Sequence, residues 1–128
     1  MASELFADRH ILVVEDEMIV LMLIEEMLAD LGCASVTAVA TVGQALNAID
    51  AKVFDAALLD VNLNGTKSYP IADALAVRGV PFLFATGYSD HALKGGYPGR
   101  PVLSKPFQFQ QLVDGLTHLL LDSQATVL

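Results

Sequence analysis

Short, unbroken apolar runs alternate along this chain with longer segments in which apolar residues recur every three or four positions. The first run is "HILVVE" (10–15), and "FDAALLD" (54–60), "VPFLFAT" (80–86) and "PVLSK" (101–105) repeat its character. Runs of this length, apolar at successive positions, read as strands buried on both faces, and the first is β-branched as well; "ASVTAV" (34–39) is a shorter, weaker candidate for the second strand. The intervening segments have helical spacing. One helix is expected from about Glu17 to Leu31, with Gly32 as its stop signal. Thr41 caps the next, Gln44 completes a capping box, and Val42, Ala45, Leu46 and Ile49 give its apolar face. A third helix is expected from Ser68 to Arg78, stopped by Gly79. The stretch "GYSDHALKGGYPGRP" is crowded with Gly and Pro, so a fourth helix between Ser89 and Lys94 should be short or mobile. Phe109, Leu112, Val113, Leu116, Leu119 and Leu120 form the apolar stripe of a last helix.

Strand followed by helix, five times over, predicts an α/β fold. Such alternation gives a parallel sheet covered by helices on both faces, joined by right-handed crossovers. Neither an internal repeat nor a linker interrupts it. The 128 residues are therefore expected to form one domain, with its core at about 10–120 and short tails.

Composition narrows the possible functions. Apolar residues make up 54% of the chain, which excludes a disordered protein. The longest apolar run, Met18–Ile24, has acidic residues on both sides and is far shorter than the roughly 20 residues of a membrane span. "MASELFADRH" lacks the basic and apolar regions of a secretory leader, so a cytoplasmic location is expected. A net charge of −8 argues against direct nucleic-acid binding. Cys33 is the single cysteine and reads as a buried thiol; His10, His91 and His118 show no ligand spacing.

The parallel topology gives the polar residues at the strand ends their meaning, because in an open α/β sheet ligands bind at the C-terminal strand edge. Glu15, Asp16 and Glu17 follow the first strand, Asp60 ends the third, Thr86 the fourth, and Ser104-Lys105-Pro106 the fifth. One acidic residue at a strand end is most simply a helix cap, and Asp16 alone fits that role. A buried threonine such as Thr86 can likewise just bond to backbone. Four strands delivering complementary groups to one edge is a different matter. Clustered carboxylates repel one another and call for a hard divalent cation, for which Mg²⁺ is suited. One carboxylate can then attack phosphorus, while Lys105 and the Thr86 hydroxyl bind the transferring phosphoryl oxygens.

The set "EDE", "LLDVNLNG", "FATGY" and "LSKPF", in this order, resembles the receiver domain of two-component response regulators. The resemblance covers roughly residues 10–120 and implies a flavodoxin-like, doubly wound, five-stranded fold. "DVNLNGTKSYPIADAL" and "FATGYSD" further resemble the single-domain FAT GUY subgroup, which is associated with HWE and related histidine kinases, mainly in alphaproteobacteria. The resemblance makes Asp60 the phosphoacceptor, Asp16 a direct Mg²⁺ ligand, Glu15 a ligand through water, and the backbone carbonyl of Asn62 a further ligand. Thr86 becomes the switch hydroxyl and Lys105 the phosphate-binding cation, aimed by a cis peptide to Pro106. One departure stands out: Val102 occupies a position, three residues before the lysine, where receivers carry a switching Tyr or Phe. Tyr88, beyond Thr86-Gly87, is the natural substitute, so Tyr88 and the segment Gly87–Arg100 are expected to change order on phosphorylation.

The function this implies is a single-domain response regulator that takes a phosphoryl group from a histidine kinase or phosphotransfer protein and signals by protein contact to a downstream effector. It would catalyse only its own phosphorylation and dephosphorylation, and so is not expected to be an enzyme. Met18, Ile19 and Met22 lie just past the acidic pair and form a plausible exposed partner surface, although core packing is the simpler role for most of that helix. Rival readings are a phosphate sink or shuttle in a relay, or a small haloacid-dehalogenase-type phosphatase. The phosphatase would need an aspartate where Asn62 stands. A flavodoxin-type cofactor carrier would need a phosphate loop where "VEDEMI" is acidic.

Overall fold

The computed structural model of the chain describes residues 5–87 and 102–126. Its elements run β1 (His10–Val14), α1 (Met18–Asp30), β2 (Ser35–Val39), α2 (Val42–Ala51), β3 (Ala56–Asp60), β4 (Asn62–Leu63), β5 (Thr66–Lys67), α3 (Tyr69–Val77), β6 (Phe82–Thr86), β7 (Val102–Ser104) and α4 (Phe109–Thr126). Strands β2-β1-β3-β6-β7 form the main sheet in that order, all parallel, while β4 and β5 form a separate antiparallel pair. The expected fourth helix, Tyr88 and most of the segment Gly87–Arg100 lie outside the described residues.

Because side chains alternate across a strand, each core strand feeds two apolar layers. Ile11, Val13, Leu58 and Leu83 pack with Leu21, Ile24 and Leu28 of α1 and Leu112 and Leu116 of α4. Leu12, Val14, Leu59, Phe82 and Phe84 pack on the other face with Ala45 and Ile49 of α2 and Ile71 and Leu75 of α3. Phe84 meets Phe82 and Tyr69 edge to face, at centroid separations of 5.5 and 6.1 Å. Phe6, ahead of the expected core, is buried in the first layer. Cys33 is half-buried against the same layer rather than fully enclosed, and burial raises its thiol pKa.

Local signals explain the helix ends. Thr41 Oγ1 accepts from the Gln44 N–H at 3.1 Å, and the Gln44 side chain reaches back one residue further than expected, to the Ala40 N–H. Gly32 and Gly79 follow α1 and α3 with φ of +83° and +71°, a conformation that costs glycine little. In α4 the apolar stripe is buried from Leu112 to Leu120, but Phe109 at its head is exposed; it lies in the first turn, beyond the edge of the layer.

Gly115 marks the closest approach of α4 to the sheet. A Cβ there would lie 2.9 Å from Leu83 Cδ2, inside a filled layer. Gly115→Val is therefore expected to lower stability by about 1–3 kcal/mol, read as a drop in the denaturation midpoint. A variant as stable as the wild type would mean that Leu83 yields without cost.

Candidate functional site

The parallel register brings the polar strand ends level. Val14 pairs with Leu59, so Glu15 and Asp60 follow side by side; Asp60 pairs with Ala85, and Thr86 with Ser104. The ladder continues past the strands through Glu15 N–H to the Val39 carbonyl and Lys105 N–H to the Thr86 carbonyl. Lys105 is thereby carried to the edge, followed by a cis peptide to Pro106.

Lys105 joins two carboxylates. Its Nζ donates to Glu15 Oε1 at 2.6 Å and to Asp60 Oδ2 at 3.0 Å. Glu15 is 1% exposed and Asp60 6%, so the three charges meet largely out of water. Carboxylate oxygens of Glu15, Asp16 and Asp60 lie within 4.8 Å of one another. Burial pushes the Glu15 carboxyl from its ordinary 4.5 up to about 7, although Lys105 and the Glu17 N–H pull the other way. Burial raises Asp60 as well. Burial pulls the Lys105 ammonium down, but its bonds to Glu15 and Asp60 outweigh that and hold it above the ordinary 10.5.

Three carboxylates facing one ammonium leave the ionised cluster two positive charges short. All its donors are hard oxygens. A small divalent cation such as Mg²⁺ fits that donor set and that deficit. Asp16 does not cap α1: Glu17 occupies the N-cap position, and no side chain caps the helix. Instead Asp16 Oδ2 accepts from the Asn64 N–H at 2.8 Å.

The remaining expected residues divide. Thr86 is buried at the end of β6, and its hydroxyl donates to the Gly87 carbonyl at 3.1 Å. The Asn62 side chain is exposed and spent in a turn, accepting from the Gly65 N–H at 3.0 Å, while its N–H donates to Asp60 Oδ1 at 3.3 Å. Val102 is exposed at the start of β7. Met18, Ile19 and Met22 are exposed, as is Leu23; Leu21, Ile24 and Leu28 supply the buried face of α1. Beside them a groove of about 410 Å³ runs between α1 and the segment after β7, lined by Val20, Leu23, Met27, Pro106 and Phe107.

Sequence reasoning missed the β4–β5 hairpin. The signal was there: Asn64-Gly65 is a strong two-residue hairpin turn, and both residues take positive φ, +56° and +88°.

Comparison with known proteins supplies an independent view. The sequence model of the response regulator receiver domain matches residues 11–117. Among solved structures, SdrG from Sphingomonas melonis Fr1 is 45% identical, covering 89% of this chain and 98% of its own, with a TM-score of 0.80. The PhyR stress response regulator is 30% identical over 92% of this chain and 48% of its own length, with a TM-score of 0.76. The receiver domain of sensor histidine kinase PA1611 from Pseudomonas aeruginosa PAO1, solved with a magnesium ion in its active-site cleft, is 29% identical over 89% and 98%, with a TM-score of 0.76. No match is found among curated proteins.

Proposed function

Since the chain belongs to the response regulator receiver family, we propose that Asp60 accepts a phosphoryl group from the phosphohistidine of a histidine kinase or phosphotransfer protein, and that the chain signals by contact with a protein effector. The observation that carries this reading is Lys105, bridging Asp60 and Glu15 at the C-terminal edge with Asp16 beside them.

Asp60 is the nucleophile of choice because its Oδ2 is already held by a cation while its Oδ1 accepts a long bond, 3.3 Å, from the Asn62 N–H. Attack forms a bond from the carboxylate oxygen to phosphorus as the bond from phosphorus to the histidine nitrogen breaks. Lys105 holds negative charge on the phosphoryl oxygens, and the Thr86 hydroxyl is free to turn from the Gly87 carbonyl toward them. Glu15, Asp16, Asp60 and the Asn62 carbonyl would hold Mg²⁺, which supplies charge neutralisation at phosphorus when bound. Among the described residues no helix is long and apolar enough to cross a membrane.

The kinase would dock on α1, where Met18, Ile19, Met22 and Leu23 stand exposed beside the groove. The motifs "DVNLNGTKSYPIADAL" and "FATGYSD" favour the FAT GUY subgroup, and with it a kinase of the HWE or related class. In that reading Tyr88 takes the part that Val102 cannot, and Gly87–Arg100 is the segment that responds.

Intact-mass measurement with a small acyl phosphate tests the reading. The expected result is a gain of one phosphoryl group that requires Mg²⁺ and maps to Asp60 by fragmentation. A phosphoryl group on another residue, or none from either acyl phosphate or a kinase, would overturn it.

A further inference from the structure

The hairpin that follows Asp60 does more than lead the chain into α3. Its strands β4 and β5 are only two residues each, yet it is fixed at every point. Leu63 is buried in the second apolar layer, and the Ser68 N–H closes the base on the Val61 carbonyl at 2.9 Å. Asn62 Oδ1 ties the Gly65 N–H, and the left-handed φ of Asn64 and Gly65 shapes the turn. The outcome of that shape is a long-range bond: the Asn64 N–H, 48 residues from its partner, points at Asp16 Oδ2.

Asp16 differs from its two neighbours in the cluster. Glu15 and Asp60 are each held by Lys105, whereas the Asn64 amide is the hydrogen-bond donor the structure gives Asp16 among the described residues. Asp16 sits between β1 and α1, outside any ladder, so nothing in the sheet register sets its carboxylate. We propose that the Asn64–Gly65 turn is a positioning element for the cation site, its Asn64 amide holding the Asp16 carboxylate in the orientation that Mg²⁺ requires. The inference rests on the metal reading above and deepens it. It ties the cation to the acceptor strand, because the turn lies four residues from Asp60 on a hydrogen-bonded connection. By linkage, the cation also steadies the turn by the same factor that the turn strengthens cation binding.

Mg²⁺ titration of ¹⁵N-labelled protein by NMR tests it, comparing the wild type with Gly65→Val and Gly65→Asn. Valine resists a φ near +88°, whereas asparagine tolerates left-handed backbone. Gly65→Val is expected to weaken Mg²⁺ binding about tenfold, the low end of what a hydrogen bond to a charged group contributes. Gly65→Asn should bind as the wild type does, and the wild-type Asn64 amide should gain protection from hydrogen exchange as Mg²⁺ is added. If Gly65→Val loses its folded spectrum, Asn62→Ala, which removes only the tie to Gly65, serves instead, with a two- to threefold loss expected. Wild-type affinity in a folded turn variant would overturn the positioning role alone. A wild type that takes up no Mg²⁺ would overturn the metal reading itself, and the two failures are told apart by the wild-type curve.

Discussion

Asp60→Asn is expected to gain no phosphoryl mass under conditions in which the wild type gains one, and to lose little or no stability at pH 7. The amide preserves the shape of the side chain, and its one carbonyl oxygen can still accept from either the Asn62 N–H or Lys105, with the NH₂ in the other position. It lacks the anionic oxygen that attacks phosphorus. Stability should hold because Lys105 keeps its shorter bond to Glu15, at 2.6 Å, so no buried ion is left alone. The substitution also removes a carboxylate that burial disfavours and whose charge raises Glu15. Losing one member of a buried pair is costly when it strands the other, and here it does not. Intact mass and thermal melting check both halves. A phosphorylated Asp60→Asn chain would point to another nucleophile, and a large stability loss would mean that Lys105 depends on both partners.

Lys105→Met is expected to act in the opposite sense, with a cost of about 3–5 kcal/mol at pH 8 in the metal-free protein. Methionine fills similar space but leaves Glu15 and Asp60 facing each other without a cation. Much of that loss should return at pH 5, and the sign follows from proton binding. Glu15 in the fold titrates near 7, above its ordinary 4.5, so between those values the folded state binds more protons than the unfolded one. Stability carried by protonated Glu15 is then fully present below about pH 4.5 and is lost as pH rises through 7, on the order of 3 kcal/mol in all. Removing Lys105 withdraws a pull that lowers both carboxyls, so in the variant the decline extends further above 7. The Lys105 ammonium, raised above 10.5, keeps its own contribution in the wild type in full below about pH 10.5 and loses it as pH rises from there through the raised value. Denaturation midpoints at pH 5 and pH 8 in the presence of a chelator measure the difference. An equal loss at both pH values would mean that packing of the lysine stem, not charge, decides the outcome.

Much of this was legible in the chain because buried parallel strands leave a plain mark. Runs such as "HILVV" and "FLFAT" must be apolar on both faces, and both residue parities of each strand proved to be buried. The polar residue ending each run then falls at one edge by topology alone, which is how Glu15, Asp60, Thr86 and Lys105 could be gathered before any coordinates. What resisted reading was set by contacts between distant backbone groups. Nothing in the spacing of Asp16 and Asn64 reveals that one will accept from the other's amide. A helix cap is the simpler local alternative for an acidic residue at the place of Asp16, and a tertiary hydrogen bond takes its carboxylate instead. Likewise Phe6 sits in a stretch with no periodicity, and its burial depends on the distant residues of α1 and α4 that share its layer. The exposure of Met18, Ile19 and Met22 follows from simple geometry, since a helix apolar nearly all round in its first turns has only one face to give to a sheet.

The order in which the strands lie has a consequence for how the molecule comes together. The two carboxylates joined by Lys105 arrive with the first and third strands of the chain, whereas Lys105 follows the last. A chain still emerging from its point of synthesis can align β1 with β3 and bury two carboxylates while their counter-charge has yet to be made. In that half-built sheet burial favours the protonated carboxyls, and β7 brings the ammonium that pairs with their ionised form. The edge strand thus brings the charge that completes the cluster, and the sheet is expected to reach its full stability only with β7 in place.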